Sequence, residues 1–222
     1  QRQRHLVGIC SRQFVRVLFL ELGKLNPAPI SGYEMGTRLD GLGFNFNLEE
    51  RIAIIEERTK EVLTDWEANY KGKASDRPRL LITGCPNSGV RDKIIKTVEE
   101  LGADVVAFDC CNGTREKVEP VDENMPIYDA LAKKYLNINC SVMSPNNSRM
   151  QYIDEMIDEY QVDGVIEIIL QACHTYNIES HYVKQTVTNK GKSYLMIETD
   201  YSQADKGQIR TRLEAFLETL EK

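Results

Sequence analysis

Six cysteines are the residues of this chain that could most readily do chemistry. A thiolate is a soft ligand that binds zinc, copper(I) or iron–sulfur clusters. No two of the cysteines have the C-x2-C spacing, which excludes a zinc ribbon or a zinc finger. If they bind a metal, the ligands must therefore come together from distant loops. The six are Cys10, Cys85, Cys110, Cys111, Cys140 and Cys173.

The second part of the chain alternates strands with helices and should position most of these cysteines. The segment "DGVIEIIL" is an almost continuous apolar run rich in β-branched residues, as expected for a strand buried on both faces. The pattern predicts an α/β fold, with a parallel sheet of about four strands that is Rossmann-like or flavodoxin-like. The predicted strands are 79–84, 103–109, 163–170 and 194–200, and the predicted helices are 90–101, 150–160 with Asn147 or Ser148 as its cap, and 208–220.

The first part of the chain has a different pattern. "QFVRVLFLEL" is a candidate apolar helix, and "NLEERIAIIEERTKEVLTDW" carries apolar residues at helical spacing between charges. The polar stretch "YKGKASDRP" contains Gly, Ser and Pro and is typical of a linker. We therefore predict a helical extension with its linker over residues 1–78 and an α/β lobe over residues 79–222.

The cysteines follow the predicted strands in a regular way. Cys85 comes just after the first strand, Cys110 and Cys111 after the second, and Cys173 after the third, while Cys140 lies in the irregular section before the third strand. Because ligands bind at the carboxyl ends of the strands in open parallel sheets, we expect these five to converge on one rim. Soft thiolates from several loops favour an iron–sulfur cluster over a site for a hard cation.

The individual cysteines have different expected roles. Side chains alternate along an extended chain, so Cys110 and Cys111 should point apart, and Cys111 is the better ligand because it lies deeper in the loop. Cys85 is either a ligand or a thiol packed under the turn. Cys10, in the helical extension, is expected to be structural. His174 is expected to donate a hydrogen bond to a cluster sulfur or to a carbonyl group.

Two carboxylates interrupt apolar strand patterns. Glu167 lies within "VIEIIL" and Glu198 within "LMIETD". A buried carboxylate needs a partner, and Arg210 or Arg212 on the last predicted helix could supply one. We interpret both as members of structural ion pairs.

Composition and charge exclude other classes of function. The net charge is −6 and the isoelectric point is near 5.3, whereas binding of a nucleic-acid phosphate backbone needs a basic face. No apolar run is long enough to cross a membrane. The sequence lacks a convincing signal peptide, so we expect a cytoplasmic protein, in which six cysteines are more often free, redox-active or metal-bound than paired in disulfides.

Several motifs together resemble a known family. "LLITGCP", "DCCNGTRE", "KYLNINCSVMSPN", "DGVIEIILQACHTYNIES" and "IETDYSQADKGQIRTRLEAFLE" run in this order from Leu80 to Glu218. They resemble the second half of the 2-hydroxyacyl-CoA dehydratase and benzoyl-CoA reductase family. "NPAPISGYEM" is similar to the connector between the two halves of that family.

The resemblance implies a lobe of an oxygen-sensitive iron–sulfur enzyme component from anaerobic metabolism. In the dehydratases, which are lyases, three cysteines hold a [4Fe–4S] cluster, and an ATP-dependent activator protein injects a low-potential electron. The electron allows water to leave a 2-hydroxyacyl-CoA through a ketyl radical. A related branch carries a double-cubane cluster and reduces small molecules, and "ACHTYNIES" is more similar to that branch. Carried over position by position, the expected ligands are Cys173 and Cys111, then Cys140 and Cys85.

The sequence also departs from the family pattern. The amino-terminal lobe, which supplies further cysteine ligands, is absent, and Val142 stands where double-cubane relatives tend to have a second cysteine. We therefore expect either a piece of a longer protein or a reduced homologue, working with a second lobe or subunit in a dimer. The alternatives to an enzyme component are a non-catalytic electron-transfer lobe and an α/β binding module whose cysteines only pack.

Overall fold

The four predicted strands form one parallel sheet in a computed structural model that describes residues 19–43, 45–111, 115 and 121–220. The strand order is β2-β1-β3-β4, and all three strand pairs are parallel. This confirms the α/β prediction. The strands are β1 (Arg79–Gly84), β2 (Asp104–Asp109), β3 (Gly164–Leu170) and β4 (Ser193–Thr199).

Helices cover both faces of the sheet, because side chains of the central strands alternate between two apolar layers. Ile166 and Ile168 of β3 pack with α3 and α7, whereas Val165 packs on the other face with α5 and α6. The helices are α1 (Gly32–Gly43), α2 (Leu48–Asn69), α3 (Arg91–Glu100), α4 (Ile127–Leu136), α5 (Asn147–Glu159), α6 (His174–Asn189) and α7 (Lys206–Glu218).

Two details of the helices differ from the prediction. Helix α1 lies within the predicted helical extension, although its own bounds were not predicted, and α4 lies in the irregular section for which no helix was predicted. The predicted cap of α5 is wrong, since Asn146 precedes the helix and makes no capping hydrogen bond with its side chain. Ser148 lies within α5 and donates instead to the side chain of Asn139, at 2.7 Å. A tertiary hydrogen bond has therefore replaced the expected local one.

The amino-terminal segment is helical, as predicted, and packs on the sheet. Gly32 begins α1 against Val105 of β2, where an added Cβ atom would lie 2.6 Å from the valine side chain. Met35 and Ile55 are buried in the same apolar layer as α3 and α7. The predicted helix "QFVRVLFLEL" lies mostly outside the described residues, and the boundary at residue 78 stays a prediction. Within the described ranges, no helix combines the length and apolarity that crossing a membrane requires.

Candidate functional site

The end of β1 holds Cys85 against β3. Gly84 has a φ of +103°, and a Cβ atom at this position would lie 2.2 Å from the carbonyl oxygen of Ile168. The Cys85 amide donates to that oxygen at 2.8 Å, and its Sγ atom accepts the amide of Leu170 at 3.3 Å. The thiol is buried, and burial raises its pKa to about 12.

Cys173 lies at the start of α6 and contacts Cys85. Its Sγ atom lies 3.7 Å from the Thr175 hydroxyl, and its side chain packs against the small apolar cluster that contains Cys85. Burial acts to raise the pKa of Cys173, but hydrogen bonds from the Tyr176 amide and the Thr175 hydroxyl outweigh it, so the pKa is lowered. His174 is exposed on the first turn of α6, and its expected hydrogen bond to a cluster stays a prediction.

Cys110 and Cys111 point in different directions, as alternation along the chain requires. Cys110 is buried in the apolar layer and accepts a hydrogen bond from Asn87 at 3.6 Å. Cys111 is exposed, and its Sγ atom lies 4.0 Å from the Nη1 atom of Arg115. Cys111 is therefore the member of the pair that is accessible to a ligand.

The loop that carries Cys140 lies beside the start of α6. The Cys140 thiol is partly exposed, and its carbonyl oxygen accepts from Asn146 at 3.0 Å. The next residue, Ser141, donates its hydroxyl hydrogen to the Thr175 hydroxyl at 3.3 Å. Because Thr175 also contacts Cys173, the structure brings these two cysteine-bearing segments together. Cys10 lies outside the described residues.

A buried carboxylate at the end of β2 organises the rim. Asp109 accepts from the Thr83 hydroxyl at 2.7 Å, from Arg115 at 3.1 Å and from Arg149 at 3.0 Å. Burial acts to raise the pKa of Asp109, but the two guanidinium groups outweigh it and hold the pKa well below its usual range. All three charged side chains are almost completely buried.

The same ionic network extends to the loops that carry the cysteines. Arg149 also donates to Glu179 of α6, which accepts from Asn146 at 2.5 Å. Arg115 donates to the hydroxyl of Tyr176, and the Arg149 guanidinium lies 5.3 Å from the centroid of that ring. Sequence reasoning missed this network. Asp109 does end an apolar strand, but Arg115 and Arg149 lie in polar segments where nothing predicts burial.

The donor set of the rim consists of thiols. Among the residues that the structure describes, no three His, Cys, Asp or Glu side chains are close enough to hold a metal ion. A cluster is larger than a single ion, so its cysteines stand farther apart than the ligands of one ion. By donor type, thiols suit an iron–sulfur cluster better than a hard cation, and the ligand set Cys111, Cys140 and Cys173 stays a prediction.

The predicted partners of the two strand carboxylates are wrong. Glu198 is exposed on the edge strand β4. Glu167 is fully buried, accepts from the Tyr194 hydroxyl at 2.5 Å, and has no hydrogen-bond partner at Oε1 among the described residues. Arg210 instead pairs with Glu214. Helix α7 packs on the face opposite Glu167, so its arginines cannot reach that carboxylate.

Glu167→Gln should remove a pH dependence from the stability of the fold. Burial raises the pKa of Glu167 to about 7 from an ordinary 4.5. The folded state therefore holds an extra proton between these values, and its stability falls as the pH rises through them. We expect urea unfolding to show a stabilisation by Glu167→Gln that grows from pH 5 to pH 8, by up to about 3 kcal/mol.

Glu198→Gln is the matched control, because Glu198 lies on the adjacent strand and is exposed. Its free energy of unfolding should follow that of the unchanged protein at every pH. If the free energies of unfolding of Glu167→Gln and of the unchanged protein differ by the same amount at every pH from 5 to 8, the pH dependence does not come from Glu167.

Comparison with known proteins gives consistent matches along most of the chain. The family model described as 2-hydroxyglutaryl-CoA dehydratase, D-component, matches residues 12–220. A protein named as a dehydratase subunit, YjiM of Escherichia coli (strain K12), is 44% identical over 203 residues, which are 91% of this chain and 52% of the relative. The (R)-phenyllactyl-CoA dehydratase beta subunit of Clostridium sporogenes is 28% identical over 166 residues, which are 74% of this chain and 43% of the relative. The chain thus spans about half the length of these relatives.

Proposed function

Because the chain belongs to the 2-hydroxyglutaryl-CoA dehydratase D-component family, we propose that it is the iron–sulfur component of a 2-hydroxyacyl-CoA dehydratase. One observation carries the proposal: three accessible thiols on separate loops lie at the carboxyl edge of the sheet, above one buried ionic network. When bound, the cluster would supply a low-potential electron for the removal of water from an acyl-CoA.

The residues of this chain would hold the cluster and fix its surroundings. Cys173, Cys111 and Cys140 would be the ligands, and the lowered pKa of Cys173 favours the thiolate that a metal needs. Cys85 would give up its proton less readily, since burial raises its pKa to about 12, and it serves better as the packed thiol beneath Cys173. Arg149 would hold two of the cysteine loops in place through Asp109 and Glu179.

The proposal includes partners. The relatives are named as dehydratase subunits, and the chain matches about half of their length, which supports a second lobe or subunit. That partner would complete the ligand set and enclose the site, because an open rim leaves the cysteines accessible to water and oxygen. An ATP-dependent activator protein would deliver the electron to the assembled site.

The test is to measure iron and acid-labile sulfide on protein purified without oxygen, together with its visible absorption and its intact mass. We expect roughly four irons per chain and a broad visible absorption band. Addition of a dithiol reductant should not remove this band. Protein that contains neither iron nor sulfide, both alone and after reconstitution with the second subunit, would contradict the proposal.

A further inference from the structure

A cavity of about 440 Å³ opens next to the cysteine rim, between the Cys140 loop and α6. Its volume lies within the range of small-molecule sites. Most of its wall is apolar. The apolar lining residues are Val142, Met143, Pro145, Met150, Ile178 and Tyr182.

Polar side chains also line this cavity, and two of them lie next to the cysteine-bearing segments. Ser141 and Thr175 line it, and their hydroxyl groups are hydrogen-bonded at 3.3 Å. The Thr175 hydroxyl also lies 3.7 Å from the Sγ atom of Cys173. A molecule held at the thiols by a polar group could therefore extend an apolar chain into the cavity.

The cavity offers no cation for a negatively charged ligand. Glu179 is its one charged lining residue. One carboxylate oxygen of Glu179 accepts from Arg149 and the other from Asn146, and Arg149 is itself fully buried in the ionic network. A carboxylate entering the cavity would meet no cationic side chain and would lie near the negative charge of Glu179.

Apolar side chains at the mouth are exposed in the chain by itself. Val142 is 68% exposed and Ile178 is 73% exposed, and Tyr182 lies one turn beyond Ile178 on the same face of α6. An apolar ligand would remove this surface from water, which is favourable in proportion to the area buried.

We propose that this cavity binds the acyl chain of the thioester substrate and selects uncharged, apolar acyl groups over acyl groups that end in a carboxylate. The inference rests on the proposed function for the identity of the ligand as a thioester. It goes beyond the proposed function because it assigns the choice of acyl group to the residues that line the cavity.

The experiment compares valeryl-CoA with glutaryl-CoA in calorimetric titrations of protein purified without oxygen. Both acyl groups have five carbons, and they differ in a terminal methyl group or carboxylate. Neither carries a 2-hydroxyl group, so neither can be dehydrated. We expect valeryl-CoA to bind at least about tenfold more tightly, since burial of an unpaired carboxylate is costly. Equal affinities, or tighter binding of glutaryl-CoA, would overturn the proposal.

Ile178→Arg should change this preference, because it places a cation at the mouth of the cavity. We expect glutaryl-CoA to gain affinity and valeryl-CoA to lose it. Gln185→Arg is the matched control, since Gln185 is exposed on the same helix and is not part of the lining. If Ile178→Arg and Gln185→Arg shift the two affinities alike, the cavity is not the acyl site.

The two proposals fail in different ways. The iron content tests the proposed function and does not depend on the thioesters. If the protein holds iron but binds both thioesters no better than free coenzyme A, the acyl site is wrong and the proposed function stands. If valeryl-CoA binds selectively to iron-free protein, the cavity assignment stands without the cluster.

Discussion

Arg149→Met is expected to lower the free energy of unfolding by about 3–5 kcal/mol, because it removes a charged partner from two buried carboxylates, Asp109 and Glu179. Arg149 is fully buried and donates to Asp109 at 3.0 Å, to the Thr83 hydroxyl at 2.8 Å and to Glu179. Methionine restores much of the volume but none of the charge. Urea unfolding should show a lower midpoint with an unchanged slope.

Arg210→Met is the control for Arg149→Met. The Arg210–Glu214 pair is exposed on α7, with a separation of 3.0 Å. Exposed ion pairs of this kind contribute about 0–1 kcal/mol, so the midpoint should hardly move. If Arg149→Met were as mild as Arg210→Met, the buried network would not stabilise the rim.

Cys173→Ala is expected to remove most of the iron bound to protein purified without oxygen. Alanine offers no donor atom, and Cys173 has the lowered pKa that favours a thiolate ligand. Iron and acid-labile sulfide per chain are the quantities to measure. Since Cys173 is partly exposed, the variant should fold normally, and its unfolding midpoint checks this.

Cys10→Ala provides the comparison, because Cys10 is the cysteine expected to play a structural role. Its iron content should match that of the unchanged protein. If the iron-loaded protein, alone or reconstituted with the second subunit, keeps equal iron in Cys173→Ala and Cys10→Ala, the assignment of Cys173 as a ligand is wrong.

The sequence by itself determined the α/β class and the strand edge to which the cysteines belong. Apolar periodicity is a local property, so the ends of the four strands could be predicted to within one residue. Parallel strands joined by helices have their carboxyl ends at one edge, which placed Cys85, Cys111 and Cys173 at the same rim. The separation of Cys110 from Cys111 also follows from local geometry, because neighbouring side chains of an extended chain point apart.

Only the tertiary structure decided which charges are buried and what they contact. Arg115 and Arg149 lie in polar stretches that are typical of a solvated surface, yet both are buried because Asp109 needs compensation at the end of β2. Glu167 is paired with Tyr194 rather than with an arginine, because α7 packs on the other face of the sheet. Such contacts join residues far apart in sequence, and their free energy depends on the burial that the complete fold creates.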